Sequence, residues 1–277
     1  MLYSTLIKRL LDQEIDPAFA QRAGFIFEYI EQYKPEFVLD IGCGRGFYSN
    51  LISKYSFVKK VIGIDLNADY VEKAKKYSGH SKKVEFNTGS VYKLPYKNGT
   101  FDVIVCSEVL EHLPDDKKAI NELERVLKPG GIILATVPHE SFPLLWDPLN
   151  WLLMKIFHTH INKDRWWLAG IWADHERLYT EKAFKSLLKK DFKLVSFQKF
   201  VHWCWPFSHF ILYAIGKNVI ERIPTKNIDR FNTGKKSFVA LGLAIVFALP
   251  SKLFDKIFPT SSSVNLGICA EKAKAHP

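Results

Sequence analysis

With 277 residues, 47% of them apolar and 25% charged, the chain is long and apolar enough to bury a full core, which excludes a disordered or staple-dependent protein. Its 39 Lys and Arg against 29 Asp and Glu leave +10, which admits an anionic partner, nucleic acid or membrane surface. Cys43, Cys106, Cys204 and Cys269 show no CxxC spacing and three of them sit in apolar runs, so they read as small buried hydrophobes of a reducing compartment.

No basic-then-apolar leader opens the chain. Asp16-Pro17 has the form of a cap and first turn and predicts a helix to about Tyr33. Phe37–Ile41 is a short apolar run ending in a glycine loop. Val61–Ile64 is a second, ending at Asp65; Phe101–Cys106 is a third and Gly131–Val137 a fourth. Asn67 caps a helix between them. Ala119, Ile120, Leu123, Val126 and Leu127 fall at helical spacing behind the cap Asp115, and Lys128-Pro129-Gly130-Gly131 stops that helix. Strands alternating with helices of this length predict βαβ units and a parallel sheet.

After Val137 the texture changes. All seven tryptophans fall between Trp146 and Trp205. A helix is predicted from Thr180, a strand over Lys193–Val201 and a last strand over Val264–Ala270. Residues 201–262 hold eight Lys and Arg and three Asp and Glu, which is +5 of the total +10. They also hold two apolar stretches, Phe207–Ile215 and Phe238–Leu249.

Val38-Leu39-Asp40-Ile41-Gly42-Cys43-Gly44-Arg45-Gly46 is a strand running into a G-x-G-x-G turn. Glycines let backbone approach a ligand closely, and a helix starting near Phe47 offers free N–H groups. Asp65 ends the next strand, where a carboxylate can accept both hydroxyls of a ribose. A dinucleotide fingerprint needs G-x-G-x-x-G, and position 47 is Phe. Asp40 would also repel a pyrophosphate; it suits a ligand bearing an ammonium group.

VLDIGCGRG, IGIDLN, GSVYKLPYKNGTFDVIVCSEVLEHL and LKPGG, in this order and spacing, resemble the class I S-adenosylmethionine-dependent methyltransferases. The resemblance is close over about 36–138 and loose over 170–200. It implies an α/β fold: a Rossmann-like seven-stranded methyltransferase sheet with helices on both faces and an antiparallel last strand. It also implies S-adenosyl-L-methionine as cofactor, held by Asp40, Gly42, Cys43, Gly44, Gly46, Asp65, Leu66, Ser90, Val91, Ser107 and Glu108. One departure is Ser90, where the family often has Asp meeting the adenine amino group; a hydroxyl accepts that bond more weakly. The expected organisation is N-terminal helices over 1–35, a methyltransferase core over 36–200 with an aromatic lid over 139–175, a basic apolar helical insertion over 201–262, and the last strand and tail over 263–277.

Glu108, Glu111 and His112 stand at i, i+3 and i+4, so one helical turn would put them on one face. Two carboxylates and an imidazole could hold a divalent cation, Mg²⁺ or Mn²⁺ by the oxygen ligands. The ubiquinone-pathway O-methyltransferases and the small-RNA ribose methyltransferases, both metal-using, have similar patterns here. In the latter a downstream His completes the site, and Asp174-His175-Glu176 resembles that segment, making His175 the fourth expected ligand. Metal-free relatives share E-x-L-E-H as well, with Glu108 facing the cofactor. For a hydroxyl acceptor a base must take the proton, and His112, His139 and His175 are the candidates.

Phe142–Phe157 is too apolar for an ordinary surface loop, and tryptophan suits a boundary between wet and apolar surroundings. Phe238–Leu249 is 12 apolar residues with basic flanks, closed by Pro250; a spanning helix needs about 20, so an interfacial segment is expected. The charges border apolar helices rather than lining a polar groove. The expectation is therefore a cytoplasmic enzyme of lipid metabolism, peripheral on the inner membrane face. It would O-methylate a lipid-like or prenylated small-molecule acceptor at an anionic membrane surface, with nucleic acid disfavoured and the oligomeric state open. The alternatives are an RNA ribose 2′-O-methyltransferase with a Glu/Glu/His metal site and a non-catalytic cofactor-binding scaffold.

Overall fold

The computed structural model describes residues 5–79, 81–165, 168–188, 191–212, 238–257 and 260–274. The apolar runs become strands β1 (Phe37–Ile41), β2 (Lys60–Asp65), β3 (Val84–Thr88), β4 (Phe101–Ser107), β5 (Leu127–Pro138), β6 (Phe192–Phe200) and β7 (Asn265–Lys272). They form one sheet in the order β3-β2-β1-β4-β5-β7-β6. Only β7 runs antiparallel to both of its neighbours, as expected. β3 was not among the expected runs: VEFNT alternates apolar and polar residues at a sheet edge, where only Phe86 is buried.

Successive side chains of a strand face opposite ways, and the core divides accordingly. Val38, Val103, Ile132 and Leu134 face helix α2 (Pro17–Tyr33), which buries Ile26, Phe27 and Ile30 completely. Each such side chain contributes about 1.5–3 kcal/mol. Leu39, Ile104, Ile133 and Ala135 face the other layer, where α5 (Asp116–Val126) brings Ala119, Ile120, Leu123 and Val126. The N-terminal helices α1 (Thr5–Asp12) and α2 are thus one wall of the sheet, not a separate unit. Asp16 caps α2 by accepting from Ala18 N at 2.9 Å, as its sequence predicts.

α5 stops at Val126, just before Lys128-Pro129-Gly130-Gly131 as expected, and those residues belong to β5. Leu127 pairs with Phe101 and Ile132 with Val103, so residues 128–131 bulge out of the ladder. Gly130 takes φ +77°, and a Cβ on Gly131 would lie 2.8 Å from Asp102 O.

The aromatic segment builds a third core. Phe142, Trp146, Ile171, Val201, Cys204 and Val264 are buried together beside α6 (Pro148–Phe157). Asp147 accepts from Asn150 N, Asn150 Nδ2 and Ile171 N, which ties α6 to the 171 turn. Leu149, Leu152, Ile156 and Phe157 of α6 stay exposed.

Pro250 does not close the apolar helix: α8 (Phe238–Ile257) runs through it. Proline lacks the N–H that would reach the carbonyl four residues back, Val246 O. Trp205 Nε1 donates to that carbonyl at 2.8 Å and replaces the missing bond. Asp255 anchors α8 by accepting from His202 N, Trp203 N and Gln21 Nε2. Ile245, Val246, Leu249, Leu253 and Ile257 point outward. Among the described residues no helix is long and apolar enough to cross a membrane. The end of the Phe207–Ile215 stretch and six of the eight basic residues of 201–262 lie outside the described residues.

Candidate active site

The carboxyl ends of β1, β2 and β4 converge on the glycine loop, which leads into α3 (Phe47–Ile52). Gly42 and Gly44 have φ +67° and +52° for different reasons. A Cβ on Gly42 would lie 2.3 Å from Val109 Cγ2, so that glycine serves packing. A Cβ on Gly44 would meet nothing within 4 Å, so its backbone faces open space. Gly46, at φ +82°, begins the turn into α3. Beside the open face Asp65 is held rigidly: Oδ2 accepts from Gly44 N at 2.8 Å and Oδ1 from Asn67 N at 2.9 Å. Leu66, next to it, is 78% exposed, as an apolar platform left uncovered by the fold.

Asp40 lies beneath the loop, buried, with Oδ2 accepting from Ser49 N at 3.1 Å and Ser49 Oγ at 2.5 Å. Burial pushes its carboxyl up to about 7 against the pull of Ser49. Burial likewise raises the Cys43 thiol far above its ordinary range, so it is packing rather than a nucleophile. Ser90 Oγ accepts from Tyr92 N at 3.3 Å, and Val91 is buried in the sheet core.

Glu108 leaves β4 with φ +56°. Its Oε1 accepts from Thr136 Oγ1 at 3.0 Å, and its Oε2 from Arg22 at 3.2 Å and Asn265 Nδ2 at 2.7 Å. Arg22 also donates to Asn265 Oδ1 at 2.7 Å, and Thr136 pairs with Ser107 Oγ at 2.8 Å. Glu108 is thus fastened by α2, β5 and β7 at once. Sequence reasoning missed Arg22, Asn265 and Thr136. A signal for Arg22 existed: it interrupts the helical stripe Ala18, Phe25 and Tyr29.

The expected common face of Glu108, Glu111 and His112 does not form, because the chain turns at Glu108 before the 3-10 turn Leu110–His112. Glu111 is fully buried, and neither carboxylate oxygen has a hydrogen-bond partner among the described residues. Burial, then the charge of Glu108, pushes its carboxyl well up. The His112 side chain is 41% exposed, with Nε2 3.9 Å from Glu111 Oε1 and Nδ1 2.8 Å from Asp174 O. The His175 ring stands 4.7 Å from that of His112, and its Nδ1 is buried without a partner among the described residues. Burial, then His112, pushes His175 down to about 3. One donor atom from each of Glu111, His112 and His175 lies within 4.8 Å of the others; Glu108 is not of this group.

His139 is placed elsewhere. It is 3% exposed, its Nδ1 meets Ser263 Oγ at 2.9 Å, and burial holds it near 4. His139 therefore stands apart from the cluster of Glu111, His112 and His175.

Residues 39–135 match a family described as methyltransferase domain. Over these residues the chain carries a methyltransferase domain. Over 119 residues it is 30% identical to the ubiquinone biosynthesis O-methyltransferase of Coxiella burnetii, covering 42% of this chain and 50% of that one. Over 113 residues it is 39% identical to the norajmaline N-methyltransferase of Rauvolfia serpentina, covering 39% of this chain and 38% of that one. The chain thus spans half or less of the length of these relatives. Among solved structures the [4+2]-cyclase SpnF shares the fold, with TM-score 0.58 and 18% identity over 95% of this chain and 86% of that one. The residues of this domain fit S-adenosylmethionine: open backbone at Gly44, a fixed carboxylate at Asp65 and a bare apolar side chain at Leu66.

Proposed function

We propose that this protein transfers the methyl group of S-adenosylmethionine to an oxygen of a lipid-like or prenylated acceptor taken from a membrane surface. The cofactor supplies an already activated sulfonium methyl, so the protein's task is alignment. Asp65 holds the ribose, Leu66 packs on the adenine, and Asp40 with the loop backbone faces the ammonium end. Glu108, fastened by Arg22 and Asn265, walls the reacting end of the cleft. The acceptor hydroxyl loses its proton at the group Glu111, His112 and His175, which begins two residues beyond Val109, the side chain that packs on the glycine loop.

The observation that carries the acceptor class is apolar surface left bare on α6 and α8. Large side chains there are 41–64% exposed: Leu149, Leu152, Ile156 and Phe157, and Ile245, Val246, Leu249, Leu253 and Ile257. Exposed apolar side chains grouped this way mark an interaction face. In this chain they accompany a segment with a surplus of +5, which suits anionic headgroups.

A lipid extract, a water-soluble quinol analogue and RNA, each incubated with radiolabelled S-adenosylmethionine and the full chain, test the reading. Label in the lipid phase supports it. Label in RNA alone overturns the acceptor class. Cofactor binding with no label anywhere leaves only the scaffold, since one fold hosts many chemistries.

A further inference from the structure

We propose that Gln21 and Asp255 couple helix α8 to the cofactor cleft, so that a bilayer seated on the bare α8 face and S-adenosylmethionine each strengthen the binding of the other. This rests on the reading of α8 as a membrane-docking face and adds a consequence for the cofactor. The helix has two different faces. Ile245, Val246, Leu249, Leu253 and Ile257 are bare, whereas Ala248 and Ser251 are buried against the protein. Asp255 stands one turn beyond Ser251, on the inner face.

One carboxylate ties three segments together there. Asp255 Oδ1 accepts from His202 N at 2.7 Å and Trp203 N at 2.9 Å, and Oδ2 accepts from Gln21 Nε2 at 2.7 Å. Gln21 Oε1 in turn accepts from Val201 N at 3.1 Å. These bonds close on a strained residue. Val201 is β-branched and fully buried, yet its φ is +59°. Such a backbone is costly and persists only where its surroundings hold it. Here Gln21 holds the Val201 N–H, Val264 N donates to the Val201 carbonyl at 3.0 Å, and Asp255 holds the next two N–H groups.

The same residues border the cleft. Arg22 follows Gln21 on α2, and Asn265 follows Val264 at the start of β7. Arg22 donates to Asn265, and both donate to Glu108 Oε2, at 3.2 and 2.7 Å. With α8 seated, bonded neighbours therefore run from the bare face to the wall of the cleft. With α8 displaced, His202 N and Trp203 N lose their acceptor, Gln21 loses a partner, and Val201 relaxes toward extended backbone. The hold of α2 and β7 on Glu108 then loosens. A bilayer that receives the apolar face of α8 binds only the seated state, and so favours the conformation that holds the cleft. Coupling of this kind is reciprocal, so the cofactor favours the docked protein by the same factor.

Calorimetry with S-adenosylhomocysteine, which binds without turnover, tests this on the full chain with and without vesicles of equal parts phosphatidylglycerol and phosphatidylcholine. The vesicles should tighten binding by about 5- to 150-fold. The same factor should appear in the lipid concentration for half-flotation, which falls when S-adenosylhomocysteine is present. Gln21→Ala and Asp255→Ala should each still float, yet bind S-adenosylhomocysteine equally with and without vesicles. Gln21→Met, which keeps the side-chain volume, replaces either variant that does not unfold cooperatively. Unchanged affinity on vesicles that float the protein overturns the coupling and leaves the docking intact. A vesicle effect that survives in both variants overturns the route through Gln21 and Asp255. Protein that never floats overturns the docking reading and the coupling with it.

Discussion

Asp65 and Asp40 flank the same glycine loop, yet they do different work. Asp65 is rigid and outward, so Asp65→Ala should remove hydrogen bonds between a charged acceptor and ribose, about 1.5–3 kcal/mol. Calorimetry should show S-adenosylmethionine binding weakened by about 10- to 100-fold. Asp40 is buried with its carboxyl raised to about 7, against 3.8 ordinarily. Between those values the folded chain keeps a proton that the unfolded chain has lost, so this group lowers stability as pH rises through the window. His139, held near 4 against 6.5, acts in the opposite sense over its own window, raising stability with pH. The wild-type profile is a sum, and its difference from Asp40→Asn isolates the aspartate. Thermal midpoints of the cofactor-free protein should show that difference growing from about pH 4 to about pH 7. Cofactor affinity should rise over the same window in the wild type, as Asp40 ionises beside the ammonium, and stay flat in Asp40→Asn.

At the scale of elements, α8 continues past a proline because a side chain from another segment takes the freed carbonyl. Trp205→Phe should destabilise by about 0.5–1.5 kcal/mol, the net worth of one hydrogen bond. Pro250→Ala restores a helical N–H for Val246 O, so the double variant should lose less than Trp205→Phe alone. Urea unfolding of the four proteins measures this coupling, and additive losses would mean that the indole contact is incidental. Arg22, Asn265 and Glu108 join three elements in the same way. Arg22→Ala leaves Glu108 without its cation and should weaken cofactor binding more than an exposed α2 substitution such as Gln32→Ala, again read by calorimetry. The helix caps Asp16, Asn67 and Asp115 were all legible, because a cap and its helix lie within a few residues of each other. The Trp205–Val246 and Arg22–Glu108 pairs were not, because their partners lie 41 and 86 residues apart.

For the molecule as a whole, the bare faces of α6 and α8 predict membrane binding. Vesicle flotation should recover the protein with anionic lipid, and added salt should weaken but not abolish recovery, since charge is screened and apolar contact is not. Protein that stays unbound at every anionic content would refute docking. Substituting Asp at exposed Leu149, Ile156, Leu249 and Leu253 should abolish flotation while S-adenosylmethionine binding is kept.

The motif resemblance supplied the antiparallel last strand and the cofactor class; the residues themselves determined the parallel sheet, the glycine loop and Asp65 at the end of β2. Each is written in local terms: a run of apolar residues, a cap, a turn that only glycine can make. Only the tertiary structure decided which side chains share a site. Glu108 and Glu111 are three residues apart, and periodicity alone places them on one face. A positive φ at Glu108 sends them apart, one to Arg22 and Asn265, the other to His112 and His175. Those partners arrive from the N-terminal helix, the last strand and the segment after the lid, whose meeting follows from how the layers close over the sheet.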